Sequence, residues 1–151
     1  MATKLFHRIV VPTDFSDCAE EAWSLAQRVA EALQSEVVLV HVFIEPPSYG
    51  DPMAVPPDKA WEAFEKGRQW VAEALDKIAA KAKDKGLTVR PLMRTGAPAQ
   101  EIVDLATAEH ADLVIMGTHG RGGVRRVLLG SVADRVIRLA PCPVLTVRTP
   151  E

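Results

Sequence analysis

Apolar residues are arranged along this chain in two alternating patterns. Short, continuous β-branched runs recur, and between them lie longer stretches with apolar positions three and four apart. Arg8-Ile-Val-Val-Pro12 is the first run. It ends at a proline, where a backbone donor is lost, as suits a strand buried on both faces. Ser16 then offers a hydroxyl to free amides, and Asp17, Glu20 and Glu21 suit the positive end of a helix. Apolar positions 19, 22, 23, 26, 29, 30 and 33 make that helix amphipathic. Val37 to Val42 is a second strand, and its continuity, in place of alternation, predicts a sheet covered on both sides.

Ile44 to Lys59 carries five prolines together with Tyr49 and Gly50, and predicts a long, flexible connection of the kind used as a lid or binding loop. From Ala60 to about Lys85 the apolar positions 61, 64, 71, 75, 78 and 82 keep helical spacing, and Gly86 is placed as the stop. Leu87 to Met93 predicts a third strand. Pro98 suits the first turn of a helix whose buried stripe is Ile102, Leu105 and Ala106. Asp112 to Met116 is a fourth buried strand, Ser131 to Leu139 a helix, and Pro143 to Val147 a fifth strand. Strands alternating with helices throughout predict parallel pairing with right-handed crossovers, hence an α/β, doubly wound open sheet.

Composition narrows the picture. A length of 151 residues with 48% hydrophobic content suits one domain with one proper core, spanning residues 1–151. Apolar runs such as Val37 to Val42 and Leu113 to Met116 fall far short of the roughly 20 residues of a membrane-spanning helix. The first apolar run begins only at Ile9 and stops at Pro12 without a small-residue cleavage pattern, so a cytoplasmic protein is expected. The net charge of −2 supplies no overall field for nucleic acid or an anionic membrane, and any anion site must be local. Cys18 and Cys142 cannot make a disulfide framework or a zinc site, and read as small buried residues.

The chemistry concentrates at two strand ends. In open parallel sheets, ligands bind beyond the carboxyl ends of the strands, where the strand order reverses. One loaded end is Pro12-Thr13-Asp14; the other is Gly117-Thr-His-Gly120-Arg-Gly-Gly123. Glycines let successive amides approach phosphate oxygens that a side chain would fend off. The loop closes on Gly130-Ser131 at a helix start, where unpaired amides and the helix dipole favour an anion. Arg121, Arg125 and Arg126 add local positive charge; Arg121 is the one assigned to the site, while Arg125 and Arg126 read as solvated surface.

The spacing Gly117-x2-Gly120-x9-Gly130-Ser131 resembles the ATP-binding signature of the universal stress protein family. Ile9-Val-Val-Pro-Thr-Asp-Phe-Ser16 is similar to that family's opening strand and loop, and Leu39-Val-His-Val42 to its second strand. Gly96-Ala-Pro98 with Glu101-Ile102 is similar to its third-helix entry, and Cys142-Pro-Val-Leu-Thr-Val147 to its closing strand. The resemblance implies the strand order 3-2-1-4-5 of the adenine nucleotide alpha hydrolase-like fold. It also implies ATP as ligand, with Mg2+ carried by the nucleotide. Residues matching Pro12, Thr13 and Asp14 would line the nucleoside, and one matching Val42 would offer its backbone to adenine. Residues matching Met116, Gly117, Gly120, Gly130, Ser131 and Val132 would hold the ribose and phosphates. A homodimer through the terminal strand, 143–147, is implied as well. The residues agree with that, since an edge strand with exposed Val144, Leu145 and Val147 invites another strand.

Other residues carry two readings each. His119 lies between the loop glycines, within reach of a phosphate; as a proton carrier it has no partner the sequence can place, so it reads as an exposed loop residue. His41, between Val40 and Val42, reads as a satisfied core histidine. Asp14 is expected to touch ligand, at a ribose hydroxyl or a magnesium ion, with helix capping as its other role. Trp23, Trp61 and Trp70 read as core or interface residues, and one tyrosine with four phenylalanines gives no platform for nucleic acid.

A regulatory nucleotide-binding module asks for binding alone. The competing reading, a slow ATPase or nucleotidyl-transfer enzyme, needs a positioned water and a base that the sequence does not supply. The chain has no Gly-x4-Gly-Lys-Ser/Thr loop, no lysine at the last strand as a phospho-acceptor receiver needs, and no glycine fingerprint after the first strand as a dinucleotide fold needs.

Overall fold

The computed structural model describes residues 5–44, 57–120 and 129–149. The elements follow in the order β1 (Arg8–Pro12), α1 (Asp17–Leu33), β2 (Glu36–Phe43), α2 (Pro57–Asp84) and β3 (Thr88–Thr95). Then come α3 (Pro98–Ala108), β4 (Leu113–Gly117), α4 (Ser131–Leu139) and β5 (Val144–Val147). The strands form one five-stranded sheet in the order β3-β2-β1-β4-β5, every pair parallel.

The continuous apolar strands have two faces to fill. Ile9, Val11, Val37, Leu39, Leu113 and Ile115 pack on one side against Ala22, Ala26 and Ala30 of α1 and Val71, Leu75, Ala79 and Ala82 of α2. Their neighbours Val10, Val38, Val40, Val114 and Met116 pack on the other, against α3 and α4. Successive residues of a strand point to opposite faces, so unbroken apolar runs are what a sheet with helices on both sides requires. At about 1.5–3 kcal/mol for each large side chain fully removed from water, these two layers are the main source of stability.

The capping reading of α1 holds: Ser16 is its N-cap and accepts from the Ala19 amide at 3.2 Å. Some boundaries move. Residues 57–59, expected in the proline-rich connection, are the first turn of α2, because proline's missing N–H costs nothing at a helix start. The rest of that connection, 45–56, lies outside the described residues. β3 runs on to Thr95 through Pro91, which an edge strand accommodates by turning its N away from β2. Pro91, Arg90 and Arg94 on β3 discourage pairing by another chain, whereas β5, at the opposite edge, carries neither proline nor charge.

At the amino ends of the strands, charges interlock. Arg8 pairs with Glu36 at 3.0 Å and lies 3.6 Å from the Glu109 carboxylate, and Arg90 bonds the same carboxylate. The Arg90 hydrogen bond, foremost, holds the Glu109 carboxyl below its ordinary range against the opposing effect of burial. A carboxyl so lowered contributes stability that is fully present above its unfolded value of about 4.3 and is lost as pH falls through the lower folded value. Glu109→Gln is therefore expected to flatten the decline of the urea midpoint between about pH 5 and pH 3. An equally steep decline in variant and parent would show that Glu109 is not its source.

Candidate functional site

β1 has β2 on one side and β4 on the other, so the strand order reverses between β1 and β4. The carboxyl ends of these two strands open into one cleft of 850 Å³.

On the β1 side, short side chains fold the turn back on itself. The Thr13 amide continues the ladder to the Val40 carbonyl at 2.8 Å. Thr13 Oγ1 accepts from the Phe15 amide at 3.1 Å, and Asp14 Oδ1 accepts from the Ser16 amide at 3.0 Å. Phe15 is held in the left-handed region at φ +61°, a costly conformation for a bulky residue, and its ring lines the cleft.

On the β4 side the main chain is bare. The Thr118 amide donates to Val147 of β5 at 2.9 Å, and the Gly130 amide donates to the Thr118 carbonyl at 2.6 Å, bringing the far end of the loop back to β4. Gly130 is the N-cap of α4 and supplies no side-chain acceptor to its first turn. The first-turn amides of α4, with no side-chain cap, keep their donor capacity for an anion.

None of the three glycines has the left-handed φ that favours glycine; close approach is what requires them. A Cβ on Gly117 would lie 2.8 Å from Cys18 Sγ and 3.0 Å from the Cys18 carbonyl carbon. On Gly130 it would lie 2.9 Å from the Thr118 carbonyl oxygen, and on Gly120 it would lie 2.7 Å from Asp14 Oδ2. The Asp14 carboxylate thus sits directly against the loop, joining the two strand ends.

Pro12, Thr13, Asp14 and Val42 line the cleft from the β1 and β2 ends, and Met116, Gly117, His119 and Gly120 from β4. Gly130, Ser131 and Val132 line it from the start of α4. Arg121, like Arg125 and Arg126, lies outside the described residues. Asp14 braces the turn before α1, as its capping role requires, and lines the cleft. His119 is half-buried, not exposed, with Nδ1 2.8 Å from Thr118 Oγ1.

Two readings are corrected. His41 is no core histidine: it is half-buried on the cleft wall, its Nδ1 2.8 Å from the Thr13 carbonyl, which requires a donor there and so fixes the N–H on Nδ1. Of the core-or-interface reading, the core half fails for Trp61 and Trp70, which are 58% and 54% exposed; α2 joins the core only from Val71 onward. Trp23 packs against the core as expected. Cys18 is buried and Cys142 half-buried.

Thr118 carried no signal in the sequence, yet it is 3% exposed and joins β4, β5 and α4 through its backbone. Its hydroxyl also lies 3.8 Å from Cys18 Sγ. Burial pushes the Cys18 thiol up, but hydrogen bonds outweigh it, led by the His119 backbone and followed by Thr149, Thr118 and the His119 side chain, so the thiol titrates below its ordinary value. Among the described residues no group of three metal-ligating side chains converges, and no helix is long and apolar enough to cross a membrane.

Comparison with known proteins agrees with this architecture. The universal stress protein MJ0531 of Methanocaldococcus jannaschii is 40% identical over 148 residues, covering 97% of this chain and 85% of the relative. The solved structure of MJ0577, from the same organism, superposes with a TM-score of 0.86 at 31% identity, covering 97% of this chain and 99% of that one. A universal stress protein solved in complex with cAMP matches with a TM-score of 0.70 at 25% identity, over 97% of this chain and 99% of that one. One from Archaeoglobus fulgidus in complex with dAMP matches with a TM-score of 0.62 at 25% identity, over 95% and 98%. The model of the universal stress protein family itself matches residues 5–148. With nearly the full length matched and the strand order in agreement, this chain belongs to the universal stress protein family.

Proposed function

We propose that this protein is an ATP-binding regulatory module, a cytoplasmic homodimer of single-domain chains whose loops respond to occupancy and so change what it presents to partners. The observation that carries this reading is one cleft lined by main chain of Gly117, Gly120 and Gly130 at the head of α4, with the bare side of Gly120 set against Asp14 of the opposite turn. Amides at a helix start, with no side chain in the way, suit phosphate oxygens. The adenine nucleotides bound by the two relatives, cAMP and dAMP, support an adenine nucleotide here.

In this reading Thr13 and Asp14 take the ribose side of the nucleoside beside Pro12, and the Val42 backbone meets adenine. Met116, Gly117, His119, Gly120, Gly130, Ser131 and Val132 take the ribose and phosphates, with Arg121 adding charge. The Asp14 carboxylate lies against Gly120, where a bound phosphate would repel it unless a divalent cation came between them. Mg2+ carried by the nucleotide, with Asp14 as its protein-side oxygen, resolves that repulsion. The uncharged β5 edge suits pairing with a second copy; Leu145 is 39% exposed there, while Val144 and Val147 are half-buried.

Freshly purified protein, denatured and analysed by mass, is expected to release ATP. Release of neither ATP nor another adenine nucleotide, together with no heat on ATP titration at millimolar concentration, would overturn the reading. A slow ATPase or nucleotidyl-transfer enzyme is the second reading, favoured by His119, which Thr118 holds beside the proposed phosphates. Predominant ADP in the same experiment would favour it.

A further inference from the structure

We propose that Trp70, braced by Phe15 and His41, makes the cleft selective for a purine base over a pyrimidine or a bare polyphosphate. This rests on the nucleotide reading and adds a determinant from α2, outside the glycine loop and the strand ends.

Trp70 lines the cleft yet is 54% exposed, although the next residue, Val71, is buried in the core. An indole left half in water beside a cleft retains a flat apolar face that a ligand can cover. One aromatic contact braces the ring. Its centroid lies 5.2 Å from that of Phe15, edge to face at 74°, and Phe15 lies 5.2 Å from His41. His41 in turn meets Phe43 at 4.9 Å and is tied to the Thr13 carbonyl. Phe15 reaches its place only through the left-handed backbone that Thr13 Oγ1 helps to hold. A strained conformation in a bulky residue persists where its surroundings enforce it, and here it sets an aromatic ring between Trp70 and His41.

Placement favours a base over other apolar occupants. α2 packs on one face of the sheet and α4 on the other, so the cleft runs from Trp70 on one side to the anion-accepting start of α4 on the opposite side. A ligand spanning it has a flat apolar end and an anionic end. Stacking and edge contacts grow with ring area, so a two-ring base gains more from this wall than a one-ring base.

The test titrates the parent, Trp70→Phe and Trp70→Ala with ATP, CTP and inorganic tripolyphosphate. Trp70→Ala is expected to weaken ATP about 10-fold, Trp70→Phe to restore most of the loss, and tripolyphosphate to bind all three alike. The preference of ATP over CTP should shrink in Trp70→Ala, and ATP should alter the tryptophan emission of the parent but not of Trp70→Phe. ATP affinity within about twofold of the parent in Trp70→Ala, or a parallel loss of tripolyphosphate, would overturn the proposal alone. A parent that binds no ATP would overturn the nucleotide reading and this proposal together. Should Trp70→Ala not fold, an unchanged emission on ATP binding to the parent would overturn it.

Discussion

Gly120→Val is expected to lower ATP affinity about 100-fold while leaving the thermal midpoint within about 3 °C of the parent. The residue is exposed, and among the described residues a Cβ there meets Asp14 closely, Oδ2 at 2.7 Å, with Asp14 Cγ farther off at 3.9 Å. That neighbour is the end of a side chain, and turning it aside gives up the Ser16 amide bond to Asp14 Oδ1, about 1 kcal/mol, which stays within the stated shift. The ligand cannot turn aside, because a branched side chain stands where the phosphates must approach the loop amides. Losing roughly two hydrogen bonds to a charged group, at about 1.5 kcal/mol each, gives the stated factor. Titration calorimetry of the two proteins decides the matter: equal affinities would mean that Gly120 does not face phosphate.

Gly117→Ala should do the reverse and act on the fold. Its Cβ would lie 2.8 Å from Cys18 Sγ and 3.0 Å from the carbonyl carbon and oxygen of Cys18, and that backbone belongs to the first turn of α1. Neither β4 nor α1 can withdraw without opening core contacts on both sides of the joint. Overpacking of this kind costs about 3 kcal/mol, or on the order of 10 °C in thermal midpoint for a domain of this size. Cys18→Ala in the same chain removes the sulfur clash but not the backbone clash, so it should recover only part of the loss. Full recovery in the double variant, or no loss in the single one, would place the crowding elsewhere.

This contrast between two glycines three residues apart marks where the sequence stops being informative. Their spacing points to a loop that approaches an anion, but the sequence does not say that Gly117 is small to make room for α1 and Gly120 to leave the Asp14 carboxylate and a ligand their space. The strands were legible because each is buried on both faces, which leaves an unbroken apolar run at Val37–Val40 and Leu113–Met116. The two-faced sheet followed from those runs, whereas the order β3-β2-β1-β4-β5 was implied by the family resemblance and not by any periodicity. The head of α2 was misread because proline tolerates a helix start as readily as a loop. Trp61 keeps helical spacing with the core residues and still faces water, since α2 enters the core cluster only from Val71 onward, whereas Trp70 stands outside that spacing. Of the cleft, the strand ends and glycines were legible, while Phe15, His41 and Trp70 were not. What puts them on one wall is contact between rings from β2, α2 and the turn after β1, which no local pattern encodes.

The unequal margins of the sheet limit how copies of this chain can add together. A molecule open along both margins could recruit neighbours indefinitely and grow into a filament, because every addition would expose a fresh template. Here Pro91 and its flanking arginines close one margin, so a copy docked on the other finds its remaining side sealed. Growth by strand addition would therefore terminate after a single step, so the pairing proposed through β5 would yield a closed pair instead of a polymer.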